Sequence, residues 1–433
     1  MPGGGSIADT GPTGKPWRIV VSSSKRLIGL VVAVSAIGGA YAPSGAGVAQ
    51  DGFHITFGTT GDPSGRNADS AAFLVETVSG DIVVAGNGAS FSSDDGRRSS
   101  NPMVARTNTR GELRWQRVYA DLANQSIIAF ASHGEEQYLV LERLQPWPLD
   151  NVNTVTLRRI DERGAASEAL LTLDGFRALD ARPVFHAELS HFLIAGTGSA
   201  GLQILHVDLQ GHVTESSLVR GLERIQQVQA FGEQDFLVSR SLQAHEHVVN
   251  GRPVLDMHTD LIRLKSTGEA ELLLRLTDRL CRHAVASLDR VVCVEVPLLR
   301  TDQTNDAIVA YSVDGSESWR RALERSVYVE HMKLLDSGDL LYAYHEEENV
   351  AVSRVSSSGN QVWKRTLRSA GQYTFLSAIE VLRDGRLALV GATGPWNGFT
   401  SMDTDAMVIV TGISEPDLGQ ETPEVVSHIV ELQ

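Results

Sequence analysis

The sequence has little of what marks a compact enzyme, a redox protein or a nucleic-acid-binding protein. It contains only two cysteines in 433 residues, and aromatic residues make up 6% of it. It has no G-x-S-x-G elbow, no H-E-x-x-H motif and no phosphate-binding loop. Its formal net charge is −15, and a surface of that sign repels nucleic acid and anionic lipid. Binding proteins, and enzymes whose sites are assembled from distant parts of the chain, remain as function classes.

What the chain does have is enough apolar sequence for a large core and many glycines. Hydrophobic residues make up 42% of it, and it contains 40 glycines. The length exceeds that of most single domains unless a repeat architecture extends the core. Frequent glycine and few aromatic residues suit many tight turns between short strands.

Residues 1–50 have the pattern of a targeting segment. Lys25 and Arg26 precede an apolar run from Leu27 to Ala42, and small residues follow it. This order predicts a secretory signal peptide behind a disordered leader, and hence a secreted or periplasmic protein. A retained N-terminal anchor is the alternative, and only then would the protein contact a membrane.

Six glycines recur in one sequence context and set the period of the chain. They are Gly111, Gly164, Gly211, Gly268, Gly315 and Gly359. Consecutive members lie 44 to 57 residues apart, and three are followed four residues later by tryptophan, as Trp115, Trp319 and Trp363. A period in this range, with several short strands in each unit, is typical of β-propeller blades.

Each repeat predicts four antiparallel strands. The second strand is apolar almost throughout, as in residues 81–87, which indicates that both of its faces are buried. The recurrent glycine joins the third strand to the fourth, because a tight hairpin needs a residue with positive φ. We expect the tryptophan on the fourth strand, where its ring can cover the seam between blades. The predicted blades are residues 72–119, 124–172, 173–219, 220–277, 278–323, 324–370 and 371–415.

The seventh repeat has no fourth strand of its own. The chain becomes polar after Thr411, whereas residues 52–58 resemble a fourth strand placed ahead of blade one. We therefore predict an all-β fold over residues 51–415, a seven-bladed β-propeller of four-stranded antiparallel blades whose ring is closed by the N-terminal strand. Residues 416–433 are predicted to be an acidic C-terminal tail. Six or eight blades are the alternatives, because the second to fifth repeats are degenerate.

The repeat of a strand followed by G-x-x-x-W resembles that of the quinoprotein-like propellers. This group includes pyrroloquinoline-quinone dehydrogenases and outer-membrane assembly lipoprotein propellers. The repeat also resembles the generic propeller repeats of secreted bacterial proteins. The resemblance covers residues 51–415 and implies the architecture. The dehydrogenases of this group typically have eight blades and, in many members, a disulfide between adjacent cysteines, whereas the two cysteines here are 12 residues apart.

The two cysteines are placed almost symmetrically about a predicted turn. Cys281 and Cys293 flank a turn near residues 287–290, so their side chains can meet across a hairpin. In an exported protein this favours a disulfide. Two buried free thiols are the alternative.

Two long loops, in blades one and seven, contain the best candidate binding site. Ring closure would make these blades neighbours, so residues 87–102 and 393–405 would form one ridge on the loop face. Exposed aromatic residues among polar ones are typical anchors of a protein or glycan interface. Packing of the ridge tryptophan on its own blade is the alternative. The ridge residues are Phe91, Asp94, Asp95, Arg97, Arg98, Trp396, Phe399, Met402, Asp403 and Asp405.

Blade four contains a cluster of histidines. His245 and His247 alternate on one predicted strand, and Asp256 and His258 lie on the next. Imidazoles and a carboxylate at this spacing can bind zinc, although a polar outer hairpin explains the same pattern. The acidic runs 92–96 and 403–405 offer calcium as an alternative, without the full spacing of a calcium loop. No other cofactor is expected.

Together these patterns predict an exported, non-catalytic propeller that binds a protein or glycan partner through its loop face. The alternative is a secreted propeller enzyme, either a quinone-dependent oxidoreductase or a lyase, with a site on the axis of the ring.

Overall fold

A computed structural model describes residues 53–57, 69–91, 98–119, 122, 125–143, 153–185, 190–222, 225–232, 234–249, 252–277, 279–297, 305–324, 327–346, 349–368, 372–395, 405–411 and 427–428. The predicted signal peptide or anchor lies outside these residues. Within them the chain forms seven sheets, each with four antiparallel strands in sequence order except at the point of closure, and one sheet has an additional fifth strand. This is a seven-bladed β-propeller, as predicted.

The first strand, β1 (Phe53–Phe57), precedes the blades. Blade one contains β2 (Ser70–Glu76), β3 (Ile82–Phe91), β4 (Arg98–Thr107) and β5 (Leu113–Val118). Blade two contains β6 (Gln125–His133), β7 (Glu136–Arg143), β8 (Thr154–Ile160) and β9 (Leu171–Asp174). Blade three contains β10 (Arg177–Phe185), β11 (Ser190–Gly198), β12 (Gly201–Asp208) and β13 (Val213–Leu218). Blade four contains β14 (Ile225–Phe231), β15 (Asp235–Val249), β16 (Arg252–Leu264) and β17 (Ala270–Thr277).

The remaining blades follow the same order. Blade five contains β18 (Arg279–Ala286), β19 (Arg290–Pro297), β20 (Ala307–Ser312) and β21 (Glu317–Ala322). Blade six contains β22 (Tyr328–Leu334), β23 (Leu340–Glu346), β24 (Asn349–Val355) and β25 (Gln361–Arg368). Blade seven contains β26 (Gln372–Val381), β27 (Leu387–Pro395) and β28 (Asp405–Thr411). The short β29 (Ser427–His428) pairs in parallel with β25 and adds a fifth strand to blade six.

The N-terminal strand completes blade seven, which confirms the predicted closure. β1 pairs antiparallel with β28 over its whole length, from Phe53 opposite Val410 to Phe57 opposite Ala406. Ile55 is 4% exposed and packs in a cluster shared by blades seven and one. Burial of one such side chain contributes about 1.5–3 kcal/mol. The ring is therefore closed by tertiary pairing between distant ends of the described chain.

Seven buried clusters lie between the seven pairs of adjacent blades. In β3, Ile82 and Val84 pack toward blade seven, whereas Val83 and Ala85 pack toward blade two. A strand buried on both faces needs apolar side chains at every position, which explains the runs without alternation.

The turn glycines have the backbone conformation that the repeat requires. All six have positive φ, between +81° at Gly164 and +90° at Gly211. Two of the turns also receive the tryptophan of the preceding blade. The Trp115 Nε1–H donates to the Glu162 carbonyl at 2.8 Å, and the Trp319 Nε1–H donates to the Ser357 carbonyl at 3.1 Å. The predicted role of these rings at blade seams is confirmed for blades one and five.

Blade five contains the predicted disulfide. Cys281 on β18 and Cys293 on β19 are bonded, with their Cα atoms 5.7 Å apart. They are not direct partners in the ladder, since Cys281 lies opposite Glu295 and Cys293 opposite Ala284. A register shift between these two pairs places both sulfurs in the core shared with blade four. The bond is typical of proteins from oxidising compartments.

Candidate functional site

The first strand of each blade lies nearest the axis of the ring, because these strands contact one another in succession: β2, β6, β10, β14, β18, β22 and β26. Every one of them shifts its register once against the second strand of its blade. Such β-bulges leave residues out of the ladder and bend the strand. The seven bulges form a ring around the axis, and sequence reasoning gave no sign of them.

Chemically active side chains are concentrated on this ring in blades five and six. The bulge of blade five contains Arg282 and His283, and that of blade six contains Glu330. The corresponding bulges of blades one to three contain the apolar residues Ala72, Ile128 and Leu179. The axial surface is therefore asymmetric, although the backbone repeats.

Glu330 links blade six to blade seven. One of its carboxylate oxygens accepts a hydrogen bond from His345 Nε2 at 2.8 Å, and the other accepts from the Leu376 backbone N–H at 2.7 Å. Glu142 of blade two contacts blade three in the same way, at 3.2 Å from the Ala178 N–H. Both acceptors satisfy a backbone donor at the bulge of the next blade, which gives them a structural role.

His283 and His331 are half-buried neighbours on adjacent inner strands. Burial, with a smaller contribution from Arg282, lowers the pKa of His283. Burial, with smaller contributions from the charges of His283 and Lys333, lowers the pKa of His331 to about 4. Both imidazoles are therefore neutral at pH 7. The Nε2 atom of each is buried and has no hydrogen-bond partner in the described part of the chain.

A titrating carboxyl lies on the inner strand of blade three. Burial raises the pKa of Asp180 from 3.8 to about 7, against lowering contributions from the Ala181 N–H and the Arg182 charge. A carboxyl that titrates near neutral pH suits general acid–base chemistry.

We expect Asp180→Asn to stabilise the protein at alkaline pH. The unfolded chain releases the Asp180 proton near pH 3.8 and the folded protein near pH 7, so this group reduces stability as pH rises between these values. The whole shift corresponds to roughly 4 kcal/mol, and partial exposure to water lowers the expected gain to about 1–2 kcal/mol. Urea unfolding at pH 4 and pH 8 measures it. Equal differences between variant and wild type at the two pH values would contradict the shifted pKa.

A cavity of about 390 Å³ lies between blades four and five. Its wall is formed by the first and second strands of the two blades and includes Cys281 of the disulfide. The lining residues are Gln227, Ser239, Leu280, Cys281, Arg282, His283 and Val296. Ser239 is 3% exposed, and its Oγ atom has no hydrogen-bond partner in the described residues. The unpartnered Nε2 atom of His283 belongs to the same lining.

Two buried carboxylates of blades four and five each form ion pairs with two arginines. Asp260 is fully buried and binds Arg275 Nε at 2.7 Å and Arg240 Nη2 at 3.0 Å. Glu295 is 1% exposed and accepts hydrogen bonds from Arg279, Arg320 and Tyr311. These groups stabilise blades four and five and are unsuited to binding a further ligand.

The structure describes only the base of the ridge that was predicted on the loop face. Phe91 and Arg98 form the last pair of the β3–β4 ladder, and Asp405 begins β28 opposite Thr393. Asp94, Asp95, Arg97, Trp396, Phe399, Met402 and Asp403 lie outside the described residues, as do the side chains of Phe91, Arg98 and Asp405. The two acidic runs considered for calcium fall in the same loops.

The histidines of blade four lie on an extended hairpin. β15 and β16 continue their pairing to Val249 opposite Arg252, beyond the last pairs made with β14 and β17. The register sets His245 opposite Asp256 and His247 opposite Val254. The side chains of these four residues are outside the described set. His258 lies further down the strand, half-buried, opposite Leu242 and Thr277.

No metal centre is visible among the side chains that the structure describes, where no three His, Cys, Asp or Glu residues come together. In the same part of the chain, no helix is long and apolar enough to cross a membrane. The zinc site of blade four therefore stays a prediction.

No protein-family model and no curated protein sequence matches the chain. Solved structures similar to it are β-propellers. The propeller domain of the Trilobed protease from Pyrococcus furiosus is 11% identical, with a TM-score of 0.48 over 82% of this chain and 98% of that one. A catalytically inactive virginiamycin B lyase from Staphylococcus aureus, with quinupristin, is 9% identical, with a TM-score of 0.44 over 83% and 99%.

Peptidases also belong to this set of similar structures. The acylaminoacyl peptidase from Pyrococcus horikoshii is 14% identical, with a TM-score of 0.44, and the match covers 75% of this chain. It covers 49% of the peptidase, so the chain spans about half the length of that protein. At such identities the similarity indicates the fold alone.

One further recurrent feature could have been found from the sequence. An arginine stands five residues before four of the turn glycines, and an acidic residue lies at the start of the paired second strand or immediately before it. The resulting ion pairs are Arg106–Asp81 at 2.8 Å, Arg159–Glu136 at 3.3 Å, Arg263–Asp235 at 2.6 Å and Arg354–Asp339 at 2.8 Å. They fasten the second strand to the third within a blade.

Proposed function

We propose that this protein is an exported, non-catalytic propeller that binds a protein or glycan through the ridge of blades one and seven. The proposal rests on ring closure. Because β1 completes blade seven, the loops that follow Phe91 and Pro395 leave the same end of two adjacent blades. Their sequences contain the aromatic residues Trp396 and Phe399 among charged ones, a composition typical of interface anchors.

The disulfide supports the exported location. Cytosolic reductants keep most thiols free, whereas secreted and periplasmic proteins retain such bonds. The basic and apolar pattern of residues 25–42 supports it independently. The negative net charge favours a basic or neutral partner over nucleic acid. We propose no cofactor for binding at the ridge; calcium at its acidic runs is the alternative.

The test is capture of partners from the native envelope or secreted fraction with the full chain, together with a glycan array. The ridge variant is Trp396→Ala with Phe399→Ala. A matched control is the double variant Val78→Ala with Leu288→Ala. These side chains are 67% and 69% exposed and lie on turns at the end of the blades opposite to the ridge. We expect the ridge variant to lose at least about tenfold in affinity and the control to lose nothing. A partner that binds the ridge variant as tightly as wild type would place the interface elsewhere.

The second candidate is an enzyme with a site on the axis. Asp180, His283 and His331 on the inner strands favour it, because neutral imidazoles and a carboxyl that titrates near pH 7 are suited to proton transfer. Quinone chemistry does not fit the described residues, since the disulfide joins strands across a bulge and not adjacent cysteines. Of the two enzyme classes considered, we retain the lyase.

A further inference from the structure

We propose that the loop face of blades six and seven, beside the axis of the ring, binds a neutral oligosaccharide by stacking its sugars on Tyr328 and Phe375. Tyr328 begins β22 and Phe375 lies on β26, which are the innermost strands of these two blades. The site is separate from the ridge of blades one and seven, because neither ring belongs to the two ridge loops.

Exposure of these two rings is the first observation that points to a ligand. Tyr328 is 50% exposed and Phe375 is 36% exposed, and the other large hydrophobic residues exposed in the described part of the chain are aliphatic. Proteins bury most aromatic side chains, because each ring removes about 150–250 Å² of surface from water. Rings left in water beside polar groups are typical of binding surfaces.

The two rings occupy equivalent positions on adjacent blades. Each stands two residues before the bulge of its inner strand, which falls at Glu330 in blade six and at Ser377 in blade seven. The same position in blades one to three is occupied by Ser70, Ser126 and Arg177. The inner rim of the loop face is therefore aromatic at blades six and seven and polar at blades one to three.

A hydrogen bond between two largely buried side chains, Glu330 and His345, connects the two rings. Tyr328 lies directly opposite His345 in the ladder, so their side chains project from the same side of the sheet. The His345 ring packs edge to face against the Phe375 ring, with 6.2 Å between their centres. Its Nε2 atom is 2.8 Å from Glu330 Oε1, and the other Glu330 oxygen accepts from the Leu376 N–H. The rings therefore border one surface whose underlying groups are fixed.

The charges at the edge of this surface are compensated, which favours a neutral ligand. The Arg282 guanidinium carbon is 5.0 Å from the centre of the Tyr328 ring, and its Nη1 atom is 3.5 Å from Asp306 Oδ2. The side chains of this ion pair are 28% and 16% exposed, so both can bond sugar hydroxyl groups, as can the exposed Ser377. An anionic polysaccharide would also be repelled by the net charge of −15.

This combination of groups matches the chemistry of a pyranose ring. Such a ring has an apolar C–H face that stacks on an aromatic side chain, and its rim of hydroxyl groups both donates and accepts hydrogen bonds. Aromatic side chains have few torsion angles, so little conformational entropy is lost when a sugar immobilises them. Because the two rings belong to different blades, they suit a chain of linked sugars better than a single sugar, with one ring contacting each of two units.

The experiment is isothermal titration calorimetry of the full chain with oligosaccharide probes. The neutral probes are cellohexaose, chitohexaose and mannohexaose, and the comparison probes are glucose and the anionic hexamer of galacturonate. We expect at least one neutral hexamer to bind at least about tenfold more tightly than glucose or the galacturonate hexamer, which corresponds to about 1.4 kcal/mol. Absence of binding by all three neutral hexamers at millimolar concentration would overturn the ligand class. Equal binding of the galacturonate hexamer would overturn the preference for a neutral ligand.

Substitutions on one strand provide the matched variants. Phe375→Ala removes one ring, whereas Val381→Ala removes a side chain that is 38% exposed at the other end of β26. We expect Phe375→Ala and Tyr328→Ala each to weaken binding of the best neutral hexamer by about tenfold. Val381→Ala and Tyr328→Phe should leave it unchanged, because both keep the two rings. None should shift the melting temperature appreciably, since all three positions are exposed.

Two outcomes would contradict this placement of the site. Equal losses in Phe375→Ala and Val381→Ala would show that the ring itself makes no contact with the sugar, and unchanged binding in both alanine variants of the rings would place the sugar elsewhere. The ridge variant, Trp396→Ala with Phe399→Ala, should bind the hexamer as wild type does. A loss in that variant would overturn the separation of the two sites, so the ridge and this site are tested independently.

Discussion

Asp260→Asn is expected to lower the free energy of unfolding by about 3 kcal/mol, although the two side chains have the same shape. Asp260 is fully buried on β16 and binds Arg275 and Arg240 at 2.7 and 3.0 Å. Removing one partner of a buried ion pair leaves the other charge desolvated and uncompensated, which typically costs 3–5 kcal/mol or so. Partial exposure of Arg275 lets that side chain turn toward water, so the loss should lie at the lower end of this range. Urea unfolding at pH 7 measures it.

The effect should depend on pH in a defined direction. Burial alone would raise the pKa of Asp260, but the hydrogen bonds and charges of Arg275 and Arg240 outweigh it and hold the pKa below 3.8. The pair therefore stabilises the fold above pH 3.8, and this stability is lost as pH falls through the folded-state pKa. We expect the difference between wild type and variant to be constant from pH 5 to 8 and to shrink below pH 3.8.

A surface pair provides the control for this substitution. Lys265 and Glu269 form an ion pair at 2.8 Å in an exposed turn of the same blade. Glu269→Gln should leave stability unchanged within error, because water and salt screen exposed pairs. A loss at Asp260 no larger than that at Glu269 would show that burial does not strengthen the Asp260 pair.

Gly359→Ala is expected to cost about 3 kcal/mol, well above the cost of the same substitution at Gly385. Both glycines have positive φ, +89° and +85°, so both substitutions incur about 1–2 kcal/mol of backbone strain. A Cβ atom at Gly359 would also lie 2.8 Å from Cγ of Trp319, whereas nothing lies within 4 Å of one at Gly385. Overpacking of this kind adds about 1–3 kcal/mol. Thermal or urea unfolding of the two variants separates backbone strain from blade packing.

A double-mutant cycle tests whether the extra cost comes from the tryptophan. Trp319→Ala removes the contacts of the ring atoms Cγ and Cδ2 at 2.8 and 3.0 Å and leaves only the Cβ contact at 3.0 Å, so Gly359→Ala should then cost clearly less than in wild type and approach the cost of Gly385→Ala. A cost that stays near 3 kcal/mol without the tryptophan would assign the effect to the turn itself. This measurement isolates one of the contacts that repeat at blade seams.

Much of the fold was predictable from local patterns. Gly111, Gly315 and Gly359 fix the period because only glycine adopts positive φ at low cost, and their tryptophans mark the fourth strands. The unbroken apolar run of β3 indicated burial on both faces, since side chains alternate along a strand. Residues 52–58 were recognisable as a strand because blade seven lacked one. The predicted boundary between blades two and three, after residue 172, was too early, because β9 extends to Asp174.

The candidate sites were less predictable, for a physical reason. Pairing of Cys281 with Cys293 could be inferred from their symmetry about one turn, because both lie on one hairpin. The cavity could not be predicted, since its lining residues belong to blades four and five and come together only when the blades pack.

The amino-acid sequence by itself determined the repeat and its four-strand unit, and it favoured seven blades over six or eight. Each of these depends on backbone conformation and side-chain periodicity within about fifty residues. Tertiary structure alone decided which buried polar atoms have no hydrogen-bond partner and which buried charges have a counter-ion. Within the described residues, Ser239 Oγ and His283 Nε2 have no hydrogen-bond partner, and Asp260 is bound by Arg240 and Arg275 because the strand register of blade four places them opposite it. Solvation depends on every neighbour that a side chain acquires on folding, and those neighbours are distant in sequence.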